Sequence, residues 1–276
     1  MNNYLRRVGV CVLLGLFCFF LFQNFLCAQE DSEENKLNKE FLKQFMNDFG
    51  KVIVSPKYWD KKDVGNFVIV CGTGLLLYAF DDDIQQMFEG NSEETSGAAK
   101  AITSLGNGAV LTGLIAALYA GGEISDNDSL RKTSLLSLES LVTSGIIVRG
   151  MKIIFGRARP ETGELKNIFH PFSLKSSYNS FPSGHSSSAF AVATVIATQS
   201  KKVYVDVLVY SLATLVAASR VYMNKHWTSD IFIGSVIGYA VGKKICALNR
   251  NPNSARVHLS FQCTAQRGAI AINICF

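Results

Sequence analysis

The sequence predicts an all-α protein embedded in a membrane, with a small β-hairpin at its C-terminal end. Three observations carry this. Apolar residues make up 48% of the 276-residue chain and charged residues only 18%, whereas a soluble domain carries roughly a quarter charged. Six stretches after residue 63 are nearly free of charge. Those stretches also lack the charged outer stripe that a soluble amphipathic helix shows.

The elements follow in order. Arg6 and Arg7 precede an uncharged run from Val8 to Gln29, and Ala28 is a small residue ahead of Glu30 and Asp31. A basic start, an apolar core and a small residue read as a secretory signal, cleaved after Ala28. The same run is long enough to stay as a signal anchor, so residues 1–28 are assigned to one or the other. Asn24, Phe25 and Leu26 lack the small side chains that precede a lipidated cysteine, which argues against lipidation at Cys27. Residues 29–63 are hydrophilic. Within them Phe41, Leu42, Phe45, Met46 and Phe49 recur at helical spacing, which predicts an amphipathic helix at a surface or interface.

The apolar segments begin at Val64. Val64 to Phe80 is 17 residues without a charge, bracketed by Lys61, Lys62, Asp63 and by Asp81, Asp82, Asp83. Ser104 to Gly122 is a further uncharged run, 19 residues long. Thr133 to Val148 carries only Glu139, Ser176 to Ser200 only His185 and Tyr178, Val203 to Ser219 the one carboxylate Asp206, and Ile231 to Gly242 no charge at all. As helices the first two span roughly 26–28 Å, close to a ~30 Å hydrocarbon core. The competing reading is a soluble helical domain with thick buried helices, which the shortness and glycine content of the runs leave open. After Pro252, Val257, Leu259, Phe261 and Cys263 alternate with polar residues. Arg267-Gly268 then precedes Ile270, Ile272, Ile274 and Phe276, the pattern of a hairpin over 249–276.

Composition excludes several functions. The net charge of +5 is unclustered, so no nucleic-acid partner is expected. The seven cysteines (Cys11, Cys18, Cys27, Cys71, Cys246, Cys263, Cys275) show no paired C-x-x-C spacing, which supports neither a disulfide framework nor a zinc site. No cofactor or metal is expected.

Three clusters place polar residues at the ends of apolar segments. The first is Lys152-x6-Arg159-Pro160, two helical turns apart, with Pro160 expected to end the element. The second is Pro182-Ser183-Gly184-His185, opening an apolar helix whose first N–H groups suit an anion. The third is Ser219-Arg220-x5-His226-x3-Asp230, with His226 and Asp230 four apart on one helix face. Thirty-three residues containing two apolar segments and the turn Ser200-Lys201-Lys202 separate His185 from Ser219, so the chain leaves and returns to one side. Singly each residue has a plainer reading: Lys152 and Arg159 as interface anchors, His185 as a cap, His226 beside Trp227 as an interfacial residue. Their conjunction, in order, is what defeats those readings.

The three clusters together resemble the signature of the type 2 phosphatidic acid phosphatase and vanadium haloperoxidase superfamily, K-x6-R-P, P-S-G-H and S-R-x5-H-x3-D, at every specified position. The resemblance covers residues 64–248. It implies a six-helix core, a metal-independent phosphatase and a phosphohistidine intermediate. It further implies that His226 is the nucleophile, Asp230 its orienting carboxylate and His185 the general acid. Lys152, Arg159, Ser183, Gly184 and Arg220 would then hold the phosphoryl oxygens. The chemistry is self-consistent: charge on three phosphoryl oxygens needs cations or donors, and two arginines with a lysine supply them.

The expected function is hydrolysis of a lipid phosphate or pyrophosphate monoester, with the bilayer and a lipid phosphate as partners. The alternative is a soluble secreted periplasmic acid phosphatase acting on water-soluble monoesters. The sequence is silent on oligomeric state. Positive-inside counting puts the acidic connection 81–99 outside and Arg131-Lys132, Lys201-Lys202 and Lys243-Lys244 inside. The site then faces the periplasm or cell exterior. A signal or anchor at the N-terminus would place residues 30–63 outside too, against that count. The expectation that resolves the conflict is that 133–148, short and carrying Glu139, lies at the outer interface without crossing.

Overall fold

The computed structural model describes residues 36–88 and 93–250. The expected signal or anchor over 1–28 and the hairpin strands after Pro252 lie outside the described residues. Among the described residues are nine α-helices and no named strand.

Helix α1 (Lys39–Val54) starts at Asn38, whose side chain accepts the Phe41 N–H at 2.8 Å. The expected amphipathic helix is therefore present. Its inward face carries Asp48 and Val52, while Leu42 and Met46 are exposed. Helix α2 (Lys61–Ala79) opens with a capping box between Asp60 and Asp63 and buries none of its residues. The six-residue α3 (Asp81–Gln86) follows at once. The uncharged run expected over 104–122 is interrupted: α4 (Glu93–Ser104) and α5 (Gly108–Ile124) meet at 52°. Asn107 is the reason, since its side chain caps the N–H of Ala109 at 2.9 Å and starts a new helix.

Helix α6 (Asp128–Phe155) is 28 residues long and packs against α5, α7 (Gly184–Ser200) and α9 (Thr228–Leu248). Its segment 133–148 is packed inside the bundle, and α6 is not among the described helices apolar enough to count as a membrane span. Thr133, Ser134, Ser137, Glu139, Ser140, Thr143 and Ser144 all face inward. Some of these hydroxyls bond back to the helix: Thr133 donates to the Ser129 carbonyl at 2.7 Å and Ser134 to that of Leu130 at 2.8 Å, while Ser140 Oγ and Thr143 Oγ1 are buried without a partner.

Helices α7 and α8 (Val203–Tyr222) form the expected out-and-back pair, turned at Lys201 with φ +51°. Helix α7 is central, packed on α6, α8 and α9. Its closest approach is to α9 along Gly234, Gly238 and Gly242, one glycine per turn. A Cβ at Gly238 would stand 2.1 Å from the Ser187 carbonyl oxygen. Large apolar side chains such as Ile69, Leu75, Val207, Leu215 and Tyr239 point outward. With serines and threonines inside α6 and aliphatics outside, the polarity is that of a body surrounded by lipid. Helices α8 and α9 are long and apolar enough to cross a membrane, and the bent pair α4–α5 would be a third span if it counts as one.

Candidate active site

The three sequence clusters meet at one end of the bundle. Helix α6 carries Lys152 in its last turn and stops at Gly156, whose φ of +59° makes a left-handed cap. The stop comes before Pro160, not at it, so Arg159 is not on the helix. It sits on an extended segment, its N–H bonded to the Ser177 carbonyl at 3.0 Å. Lys152 Nζ donates to the carbonyls of Asn179 and, at 3.3 Å, of Ser180, which ties it to the start of the second cluster.

Ser183 caps α7. It is fully buried, its hydroxyl accepts from the Ser186 N–H and hydroxyl, and its own N–H reaches the Asp230 carbonyl at 3.0 Å. Gly184 opens the helix beside Lys152: a Cβ there would meet Lys152 Cε at 3.9 Å. His185 follows in the first turn. Arg220 lies in the last turn of α8, with Nη1 on Thr103 Oγ1 at 3.0 Å. His226 lies in the turn between α8 and α9, 2% exposed, and Asp230 in the first turn of α9. His185 feels the charges of Arg220, Lys152 and Arg159, and His226 those of Lys152, Asp230 and Arg220. All eight expected residues are thus at or around one site.

The details refine that picture. His226 Nδ1 stands 3.8 Å from Asp230 Oδ2, too far for a hydrogen bond, and has no other partner. Asp230 Oδ2 instead accepts from the Ser180 hydroxyl and the Trp227 N–H, and Oδ1 from Arg157 Nη1 at 2.6 Å. Burial lowers the His226 pKa from 6.5 to about 3, outweighing the pull of Asp230 in the opposite direction. The ring is therefore held neutral. Two guanidinium donors, Nε of Arg159 and Nε of Arg220, are buried with no acceptor. At the rim, Glu161 pairs with Arg159 Nη1 at 3.2 Å and with Lys225.

Several residues escaped the sequence reading. Arg157 stands at an unspecified position of the first cluster. Asp81 was legible only as one of three acidic residues ending an apolar run. Thr103, Ser180 and Ser229 carry no sequence signal beyond being small and polar.

Known proteins resemble this chain in sequence and in fold. The family model described as PAP2 superfamily matches residues 134–252. The chain is 30% identical over 173 residues to a lipid A 1-phosphatase of Porphyromonas gingivalis, covering 61% of this chain and 35% of that protein. It is 33% identical over 148 residues to phosphatidylglycerophosphatase B of Bacillus subtilis, covering 50% of this chain and 66% of that one. The crystal structure of a transmembrane PAP2-type phosphatidylglycerolphosphate phosphatase from Bacillus subtilis superposes with a TM-score of 0.54 at 25% identity, over 68% of this chain and 98% of that chain. The chain therefore belongs to the PAP2 superfamily. It spans only about a third of the length of the Porphyromonas relative.

Proposed function

We propose that this chain is a membrane-embedded, metal-independent phosphatase that hydrolyses a lipid phosphate or pyrophosphate monoester through a phosphohistidine at His226. The observation that supports it best is the pair of buried, unpartnered guanidinium donors of Arg159 and Arg220 beside the buried His226 and Asp230. A phosphoryl group satisfies both donors, and unsatisfied buried donors are costly otherwise.

In this reading Lys152, Arg159 and Arg220, with the N–H groups at the start of α7, stabilise the charge on the phosphoryl oxygens. Nδ1 of His226 faces Asp230, which leaves Nε2 to attack phosphorus in line. The bond from phosphorus to the lipid oxygen breaks while the P–N bond forms, and His185 gives its proton to the departing oxygen. His185 then takes a proton from water, the hydroxyl oxygen attacks phosphorus, and the P–N bond breaks to release inorganic phosphate. Asp230 stabilises the positive charge that the His226 ring gains when Nε2 bonds phosphorus.

The outward aliphatic surface and the relatives named as lipid phosphatases favour a lipid substrate. Phosphatidic acid, phosphatidylglycerophosphate, undecaprenyl pyrophosphate and a lipid A phosphate all present the same monoester or diphosphate terminus. Phosphate release from these lipids by purified protein in detergent with EDTA tests the proposal. Wild type releases phosphate, and His226→Ala releases none while keeping its thermal transition. Vanadate, which becomes five-coordinate like the transition state, inhibits the wild type. Activity lost in EDTA and restored by magnesium would overturn the pocket as described.

A further inference from the structure

Arg157 is 1% exposed and lies beneath the candidate site. Its guanidinium donates through Nη1 to Asp230 Oδ1 at 2.6 Å and Ser229 Oγ at 2.8 Å, through Nη2 to Asp81 Oδ2 at 2.8 Å, and through Nε to the Lys166 carbonyl at 3.0 Å. The ring of Tyr78 lies 4.8 Å and that of Trp227 5.4 Å from its central carbon. Asp81, also fully buried, is held in turn by Ser229, whose N–H reaches Oδ1 at 2.9 Å and whose hydroxyl reaches Oδ2 at 2.6 Å. Asp81 opens α3 and lies well before the segment that the PAP2 family model matches.

We propose that Arg157 and Asp81 are positioning residues for the His226–Asp230 pair, with Arg157 fixing the Asp230 carboxylate and Asp81 restoring the negative charge that Arg157 alone would cancel. This rests on the catalytic reading of His226 above. An Asp230–Arg157 pair by itself is neutral and gives a cationic His226 ring little to lean on. Adding Asp81 leaves the triplet with one net negative charge, in a dry environment where that charge is weakly screened. The carboxylate plane is also locked: Oδ1 is bound by Arg157, and Oδ2 by Ser180 and Trp227, next to His226 Nδ1. Four donated bonds from one buried guanidinium exceed what neutralising a single aspartate requires.

The test uses the full chain in detergent with the best lipid substrate. Asp81→Asn keeps the shape and removes the charge, and Arg157→Lys keeps the charge and removes the fork. Each lowers kcat by about 10- to 100-fold, as loss of a partner one step removed from a reacting group does. KM and the inhibition constant of inorganic phosphate stay within about twofold of wild type, because phosphate binding is not what is lost. In an Asp230→Asn background neither change lowers kcat further, since both act through that carboxylate. A purely structural role predicts instead a lowered thermal transition and an equal loss in both backgrounds, which would overturn the inference. So would an Asp81→Asn enzyme within about threefold of wild-type kcat. If Asp81→Asn does not fold, Arg157→Lys carries the same comparison. Activity that survives His226→Ala would overturn the catalytic reading and the inference with it, whereas failure of the Asp81 and Arg157 variants alone overturns only the inference.

Discussion

The proposed mechanism gives His226 and His185 different duties, and a substitution series separates them. If His185 is the general acid, its importance depends on how much its proton is needed. His185→Asn therefore lowers kcat by about 10²- to 10⁴-fold for a lipid phosphate, whose departing alkoxide is strongly basic. The same variant loses far less with an aryl phosphate, whose leaving group departs without help. Equal losses on both substrates would remove His185 from the acid role. His226 carries a pH prediction as well. Its proton affinity is lower in the folded chain, at about 3, than the ordinary 6.5, so the unfolded chain binds more protons between those values. The stability this contributes is complete above 6.5 and disappears as pH falls through about 3. Thermal transitions of wild type and His226→Gln, followed from neutral to acid pH, should converge as the wild type loses that advantage.

At the scale of elements, the break between α4 and α5 bears on the site. The turn that Asn107 creates brings Thr103 to Arg220 and lays Gly106 against the backbone of His185. A Cβ at Gly106 would stand 2.4 Å from Val216 Cγ1 and 3.0 Å from the His185 carbonyl oxygen. Backbone cannot step aside as a side-chain tip can, so Gly106→Ala costs about 1–3 kcal/mol of stability and displaces the first turn of α7. The expected readout is a lower thermal transition together with reduced kcat. An unchanged enzyme would mean the turn moves freely. The long α6 shows the converse point about legibility. Its segment 133–148 reads as peripheral for being short and carrying Glu139, whereas packing buries Glu139 together with the serines and threonines around it. The glycines of α9 were visible in the sequence, but their partners on α7 were not.

Across the whole molecule, one end of the bundle holds the site and the other holds the basic turns. Arg131-Lys132, Lys201-Lys202 and Lys243-Lys244 lie at the far ends of α6 to α9 from His226. Helix α1 belongs to that basic end: Asn249 Nδ2, at the end of α9, donates to Asp48 Oδ2 at 2.9 Å. We therefore expect the basic end in the cytoplasm and the site outside it. In this orientation α6 would cross from the basic end to the site, with α1 on the cytoplasmic side. Residues 36–60 are expected on the cytoplasmic side, opposite to what a cleaved signal implies. Reporter fusions after residue 170 should be active only outside, and those after 128, 202 and 250 only inside. A cytoplasmic signal at 170 would reverse the orientation.

The sequence by itself determined the helical class and the out-and-back path between the second and third clusters, and it named eight candidate residues that lie toward one end of the bundle. Those are local properties: hydrophobic runs set helices, and fixed spacings put Arg220, His226 and Asp230 around one turn. Only the tertiary structure decided that Asp81 and Arg157 stand behind Asp230, that Thr103 meets Arg220, and that α6 is central. Asp81 and Asp230 are 149 positions apart in the chain, and no local periodicity relates residues so separated. They come to share the Arg157 guanidinium only when packing brings both to it, and that is a property of the fold rather than of any segment.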